Sequence, residues 1–354
     1  MFSGTRTGAD CSKTIAKLRR SVAAQVEGLE RRVMLSSAIA AFGMESTFST
    51  GFGAGSITAA DVNGDGRIDV VVLNEGDSNA GVLLGNGNGA FQAQRTFATG
   101  FRPDSLAIAD MNRDGRLDLV VANDIDGSVG VLLGNGDGTF GAQTTFSTKW
   151  SGLTSVVVAD FNGDGKPDVA GFNVGVSVLL GNGDGTFQPQ RSFGTLSPGS
   201  LVAADFNGDG KVDLALTGIN TKNVNIVLGN GDGTFGPQLS FATGRQPSAI
   251  TLADFNHDGK YDLAIANEDS AVNLSVLMGN GDGTFQPQRT LGSGIISSDV
   301  EVSDINGDGR ADLLSAVVTG FVEVRLGNGD GTFQNAQTLA LQRHFSTTAG
   351  RYGV

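Results

Sequence analysis

The chain has 354 residues, of which 39% are hydrophobic, 54 are glycine and only seven are proline. This composition allows one large core and predicts many tight turns rather than a disordered chain. The formal net charge of -13 argues against a nucleic-acid partner.

Residues 1–40 differ in composition from the rest of the chain and predict a leader or targeting segment. Apolar residues recur there at three- and four-residue spacing beside basic residues, which is typical of a basic amphipathic helix. The apolar positions are Ile15, Leu18, Val22, Val26, Leu29 and Val33, and the basic positions are Lys13, Lys17, Arg19 and Arg20. Ala38-Ile39-Ala40 fits the small-residue pattern of a secretory cleavage site. We expect export, and a helical or disordered cytosolic tail is the alternative.

The stretch 28–37 of this leader resembles the Leu-Glu-Pro-Arg-type leader of exported bacterial surface proteins, with Arg31 where proline is commoner. It also loosely resembles a twin-arginine signal. The resemblance implies a secreted or cell-surface protein, and we expect no transmembrane segment. Cys11 lies inside the leader, so a processed chain would contain no cysteine.

A nine-residue pattern, D-x-N-x-D-G-x-x-D, recurs six times at intervals of 45 to 50 residues. Hard cations prefer oxygen ligands, and three carboxylates and one amide at alternate positions can converge on one ion if the chain turns sharply. A glycine at position 6 of each pattern permits that turn. The side-chain donors at positions 1, 3, 5 and 9 are Asp61, Asn63, Asp65 and Asp69; Asp110, Asn112, Asp114 and Asp118; Asp160, Asn162, Asp164 and Asp168; Asp205, Asn207, Asp209 and Asp213; Asp254, Asn256, Asp258 and Asp262; Asp304, Asn306, Asp308 and Asp312. The sequence therefore predicts about six calcium ions, one per loop.

Four short apolar runs flank each loop and its following turn, which predicts four β-strands per unit. The first run is apolar or small on both faces, as expected near the axis of a propeller, and the fourth is polar between its ends, as expected at the rim. One phenylalanine per unit begins the fourth run and is expected to form the core between blades. These residues are Phe91, Phe140, Phe187, Phe235, Phe285 and Phe333. The predicted fold is an all-β propeller of four-stranded blades over residues 41–342, followed by a disordered tail at 343–354.

Other calcium-loop classes fit the pattern less well. An EF-hand requires a glutamate at position 12 and helices on both sides of the loop. Position 12 is never acidic here, and both flanks of each loop read as strands. Dockerin-like and thrombospondin-like repeats have a closer spacing than these units.

The six loops, together with six turns of the type Leu180 to Phe187, resemble the FG-GAP/VCBS repeat family, whose calcium-loop propeller is also found at the head of integrin α chains. The resemblance covers residue 42 to about residue 339. It implies that side chains at positions 1, 3, 5 and 9 and the backbone carbonyl at position 7 hold each ion. On this chain the position-7 residues are Arg67, Arg116, Lys166, Lys211, Lys260 and Arg310.

The number of blades is left open by the sequence. Six sets of inner strands are present, whereas integrin-type propellers usually have seven blades. The spacing of Phe42 to Phe48 matches that of an outer strand, although 333–339 already offers a strand for the last blade. We favour six blades, with seven blades or an open arc as alternatives.

Strand direction places the calcium loops and the turns between strands 3 and 4 on one face of the propeller. The loops between blades lie on the opposite face, where the units differ in sequence. Phe52, Phe101 and Trp150 occupy corresponding positions there, near Arg102 and Arg245. Exposed aromatic and basic side chains of this kind could bind a sugar or a peptide carboxylate. The alternative is that the aromatic residues plug the central channel.

Two classes of function remain. The first is a non-catalytic, calcium-stabilised binding or adhesion module for an extracellular protein or glycan. The second is a polysaccharide-active hydrolase or lyase, for which Glu75 with Asp124, or Glu268 with Asp269, would be the candidate carboxylate pair. We favour the first because most of the recurring aspartates are assigned to calcium, and a purely structural spacer is a third alternative.

Overall fold

A computed structural model describes residues 46–148, 152–172, 175–194, 199–218, 221–319 and 321–340. The predicted leader (1–40), Trp150 and the predicted tail (343–354) lie outside the described residues. The expectations about these segments therefore remain predictions.

The described residues form six four-stranded antiparallel sheets, one for each sequence unit, and each sheet pairs its strands in chain order. Blade 1 contains β1 Ala54–Ala60, β2 Asp69–Asn74, β3 Asn79–Leu83 and β4 Arg95–Ala98; blade 2 contains β5 Pro103–Ala109, β6 Asp118–Asn123, β7 Ser128–Leu132 and β8 Thr144–Ser147; blade 3 contains β9 Ser155–Ala159, β10 Asp168–Phe172, β11 Val176–Leu179 and β12 Arg191–Phe193. Blade 4 contains β13 Leu201–Ala204, β14 Asp213–Thr217, β15 Asn223–Gly229 and β16 Phe235–Ala242; blade 5 contains β17 Pro247–Ala253, β18 Asp262–Asn267, β19 Leu274–Leu277 and β20 Arg289–Leu291; blade 6 contains β21 Ser297–Ser303, β22 Asp312–Val317, β23 Phe321–Arg325 and β24 Gln337–Ala340. The predicted all-β propeller is confirmed, with six blades.

The four strands of a blade differ in how deeply they are buried, and the first strand is less buried than its place near the axis suggests. The second strand of every blade is buried along its whole length, whereas the fourth strand is mostly exposed in blades 1 to 5 and largely half-buried in blade 6. The first strand, which is apolar or small on both faces and was expected nearest the propeller axis, is only partly buried. First strands of consecutive blades contact each other, so they are innermost. They are less covered because each has only one hydrogen-bonded neighbour in its own sheet.

Each of the five junctions between consecutive blades contains one apolar cluster that combines the second and third strands of the earlier blade with the second strand of the later blade. The phenylalanine that begins the fourth run belongs to this cluster, as the sequence predicted. It meets an aromatic ring of the preceding blade edge to face, for example Phe97 with Phe140 at 5.4 Å between centroids and Phe146 with Phe187 at 4.8 Å. This geometry is the favoured one for aromatic pairs.

The junction between blade 6 and blade 1 differs from the other five. Its apolar residues form two separate clusters, one around Val324 on blade 6 and one around Val72 on blade 1. Phe48 packs against Phe91 of blade 1, with ring centroids 5.1 Å apart, in the way that Phe97 packs against Phe140. Residues 46–50 are not a strand, so the described part of the predicted additional outer strand supplies the aromatic contact without strand pairing.

Candidate calcium loops and the opposite face

Each candidate calcium loop joins the first and second strands of its blade. In blade 1 the loop begins with Asp61, directly after β1, and ends with Asp69, the first residue of β2. The strand pairing of Ala60 with Asp69 closes the loop at its base. The six loops therefore have the same frame because the same two strands hold their ends.

Side chains at positions 1 and 3 point to the same backbone amide. The amide of Asp65 donates to Asp61 Oδ1 at 3.1 Å and to Asn63 Oδ1 at 3.0 Å. The corresponding distances in all six loops are 3.0–3.2 Å and 2.9–3.0 Å. The predicted carboxylate at position 1 and amide oxygen at position 3 therefore converge within each loop.

Position 5 links the loop to the basic residue at position 7. Asp65 Oδ1 accepts the amide of Arg67 at 2.9 Å, and the guanidinium of Arg67 lies 3.7 Å from Asp65 Oδ2. The same cation and carboxylate are 3.3–3.9 Å apart in the six loops. These pairs are solvent-exposed, so each contributes little to stability, but they lower the negative charge of the loop.

Position 9 has a second role that the sequence analysis did not assign. The carboxylate of Asp69 is buried; its Oδ2 accepts the amide of Val62 at 3.0 Å, and its Oδ1 accepts the amide of Gly85 at 2.7 Å. Gly85 precedes the turn between strands 3 and 4, so this aspartate fastens the calcium loop to that turn. All six position-9 aspartates make both bonds.

Burial and the negative charge of neighbouring carboxylates both raise the pKa of the position-9 aspartates. The pKa of Asp168 is raised to about 6 because burial, and to a smaller extent the charge of neighbouring aspartates, outweighs the opposing effect of the two backbone amides. The pKa of Asp262 is also raised to about 6 for the same reasons. The pKa is raised in the other four loops as well. Without a cation, the ionised form of the position-9 carboxylate is therefore destabilised in each folded loop.

The donor chemistry of the loops suits a hard divalent cation, since each closed turn carries three carboxylates and one amide, all with oxygen donors. Among the described residues, no group of three or more His, Cys, Asp or Glu side chains is placed to hold a metal ion. The side chains at positions 1 and 3, with the carboxylate at position 5, are turned toward backbone amides within the loop. The predicted site residues thus lie together, and calcium binding by them is a proposal.

The opposite face carries the predicted recognition residues. Phe52 and Phe101 are 64% and 66% exposed, and Arg245, at the corresponding position of blade 5, is also exposed. The loops between blades and the turns between strands 2 and 3 share this face, since Gly76 donates to the carbonyl of Phe52 at 3.0 Å. With two thirds of their surface exposed, the two phenyl rings are not buried in a central channel.

Two aspartates outside the nine-residue patterns hold these loops by hydrogen bonds. The amide of Phe52 donates to Asp77 Oδ2 at 2.7 Å, and the amide of Phe101 donates to Asp126 Oδ2 at 2.8 Å. In both cases the aspartate lies 25 residues after the phenylalanine, in the following strand 2 to strand 3 turn. The shared spacing was a usable sequence signal, because it occurs in blades 1 and 2.

Arg102 lies between the two candidate carboxylates of the enzyme hypothesis. Its Nη1 is 3.4 Å from Asp124 Oδ2, and its Nε is 4.0 Å from Glu75 Oε2. Arg102 therefore bridges blades 1 and 2 through two acids, and its contact with a ligand remains a prediction. Its backbone has φ of 53°, a left-handed conformation that costs free energy for a residue other than glycine.

The family model described as FG-GAP-like repeat matches residues 61–121, 110–171, 169–216, 205–265 and 254–315. A search of curated proteins finds no match to the sequence. Among solved structures, a lectin from Agrocybe aegerita that recognises non-reducing terminal N-acetylglucosamine is similar, with a TM-score of 0.62, 25% identity, and coverage of 80% of this chain and 79% of that chain.

Two further solved structures are similar in fold alone. A putative 6-phosphogluconolactonase from Bacteroides uniformis has a TM-score of 0.61 and 18% identity, covering 79% of this chain and 84% of that chain. A functionally unknown protein from Desulfotomaculum acetoxidans has a TM-score of 0.56 and 12% identity, covering 77% of this chain and 79% of that chain. No described segment forms a helix long and apolar enough to cross a membrane.

Proposed function

Because this chain belongs to the FG-GAP-like repeat family, we propose that it is a calcium-stabilised, non-catalytic binding module, secreted or at the cell surface, that recognises a protein or glycan. FG-GAP repeats are typical of extracellular proteins. The exposed phenyl rings of Phe52 and Phe101 carry the proposal. They project from the face where the units differ, whereas the aspartate loops are nearly identical in all six blades.

Calcium in this proposal is structural. Side chains at positions 1, 3, 5 and 9 and the carbonyl at position 7 would hold it, and its charge would offset the repulsion among three carboxylates. A ligand that binds only the folded state stabilises that state. Binding at six loops would therefore raise the stability of every blade.

The similar lectin supports a glycan as one class of partner, because 25% of the aligned residues are identical and most of both chains is covered. The enzyme alternative is less well supported, since Arg102 already pairs with Glu75 and Asp124.

The proposal is tested by binding and by metal content. Purified protein is applied to an array of glycans and extracellular proteins with calcium and with chelator, together with the double variant Phe52→Ala and Phe101→Ala. We expect calcium by elemental analysis, a large fall in melting temperature in chelator, and binding that the double variant loses while it stays folded. A calcium-free protein whose melting is unchanged by chelator would refute the metal assignment, and partner binding that survives the double substitution would refute the proposed face.

A further inference from the structure

Blades 1 and 2 share a local structure that the other described blades do not repeat in full. In each, a phenylalanine precedes the first strand and an aspartate in the next turn accepts its amide, as Asp77 does for Phe52 and Asp126 for Phe101. Blade 5 has Arg245 at the phenylalanine position and Ser270 at the aspartate position. The two copies are neighbours because their first strands are in contact.

We call these two copies the Phe52–Phe101 patch. It comprises Phe52, Phe101, Ile125, Glu75, Asp77, Asp124, Asp126 and Arg102. Its apolar members are unusually accessible, since Ile125 is 60% exposed and the two phenylalanines are more exposed still. Single exposed apolar residues are common on proteins, but three in adjacent loops form an exposed apolar patch, which is typical of an interaction site.

The charge of the patch is strongly negative. Two of its four carboxylates accept the backbone amides of Phe52 and Phe101, and the other two pair with Arg102, which is the one cation among these eight residues, so the patch has a net charge of -3. Such a surface repels sulfated or uronic-acid sugars and peptide carboxylates. A neutral sugar would gain nothing from the charges, whereas a basic ligand would be attracted and oriented by them.

Building on the proposed function, we propose that the Phe52–Phe101 patch binds a basic segment of a partner protein. Lysine or arginine side chains of that segment meet the carboxylates of the patch and lie over the faces of Phe52 and Phe101, where a cation is attracted to the aromatic ring. Apolar residues of the segment cover Ile125. Arg102 holds Glu75 and Asp124 in place, but its positive charge reduces the attraction of the patch for a basic segment. Arg102 therefore weakens binding of the segment.

A substitution at Arg102 gives a prediction of unusual sign. Gln246 occupies the corresponding position of blade 5 with φ of 49°, so this chain already accommodates glutamine in that backbone conformation. Arg102→Gln removes a cation and leaves the backbone unchanged. Binding of a fluorescent peptide that contains lysine and leucine should become about two- to fivefold tighter at low salt. Weaker or unchanged binding would overturn the proposal, because it would mean that Arg102 contacts the ligand or lies outside the site.

A second pair of variants removes charge without removing hydrogen bonds. In Asp77→Asn with Asp126→Asn, the side-chain oxygen still accepts the phenylalanine amide, so the loops are retained. Peptide binding should weaken about tenfold, and the residual binding should depend less on salt. The matched control is Glu268→Gln with Asp269→Asn on blade 5, which removes two charges from the same face beside Arg245 and should leave peptide affinity unchanged. Equal loss in both double variants would show attraction to the acidic protein as a whole and would overturn the proposal.

Two probes, the basic peptide and a neutral sugar, distinguish failure of the basic-partner proposal from failure of the proposed binding function. If the wild-type protein binds a neutral N-acetylglucosamine oligomer through Phe52 and Phe101 without dependence on salt, and does not bind the peptide, the basic partner is refuted while the binding module stands. If neither probe nor any array partner requires the two phenylalanines, both are refuted. Binding of the lysine and leucine peptide, with loss in Phe52→Ala and Phe101→Ala, supports both.

Discussion

The carboxylate of Asp168 accepts the amide of Gly181 at 2.7 Å, across 13 residues of chain. The loop at which calcium is proposed to bind is thereby fastened to the turn between strands 3 and 4 of the same blade. The other oxygen of this carboxylate accepts the amide of Phe161. One side chain thus serves the backbone of two loops as well as the proposed metal site.

This dual role predicts that Asp168→Asn destabilises the protein even without metal. The new amide group would place a donor against one of the two backbone amides, and an unsatisfied buried group costs about 1–3 kcal/mol. Asp164→Asn, at the exposed position 5, is the control and should lower stability only when calcium is present. Urea unfolding of both variants in calcium and in chelator makes the comparison. Equal stability of wild type and Asp168→Asn in chelator would contradict the role assigned to the buried carboxylate.

The raised pKa values predict an unusual pH dependence for the metal-free protein. Asp168 and Asp262 have folded-state pKa values of about 6, above the ordinary value of 3.8, so the folded state binds more protons between these limits. Stability from this source is present below about pH 4 and is lost as the pH rises through about 6. In chelator, the melting temperature should therefore fall from pH 5 to pH 7.5. With calcium the trend should reverse, because protons compete with the ion, and a metal-free protein that melts higher at pH 7.5 would argue against these shifts.

The close approach of two backbones predicts a severe effect at Gly181. A Cβ atom there would lie 2.1 Å from the carbonyl oxygen of Pro167, which is backbone and cannot turn away. Gly163→Ala is the control, since it has φ of 73° and no atom within 4 Å of the added Cβ. We expect about 1–2 kcal/mol for the control and about 4 kcal/mol or more for Gly181→Ala. Chemical unfolding measures both, and similar losses would show that the blade can relax at this point.

The two kinds of phenylalanine should respond very differently to truncation. Phe285 is buried between blades 4 and 5 and contacts Phe206 and Phe241, so Phe285→Ala should cost about 3–5 kcal/mol. Phe101→Ala removes an exposed ring and should change stability by about 0.5 kcal/mol or less. Thermal and urea unfolding give the two values. A large loss for Phe101→Ala would mean that its ring supports the fold and would weaken its assignment to recognition.

The periodic part of this structure was predictable from the sequence because its causes are local. Each D-x-N-x-D-G-x-x-D pattern specifies its own turn, and the apolar runs on both sides specify strands whose pairing across the turn, such as Ala60 with Asp69, needs no distant information. The repeated units, the loop residues and the phenylalanines between blades all follow from those short-range patterns, whereas the number of blades does not and was decided by the tertiary structure. The convergence of Asp61 and Asn63 on one amide is likewise a property of nine consecutive residues.

Tertiary structure decided the relationships between residues that are distant in the chain. Asp77 and Asp126 meet the loops before β1 and β5 only after strand pairing brings together residues 25 positions apart. Arg102 meets Glu75 because two blades pack side by side, an ion pair that the sequence did not predict. The sequence by itself determined the repeated frame, since local sterics and hydrogen bonding act within each unit. The charge and exposure of the opposite face were decided by packing between units, because they depend on which side chains the assembled blades bring into contact.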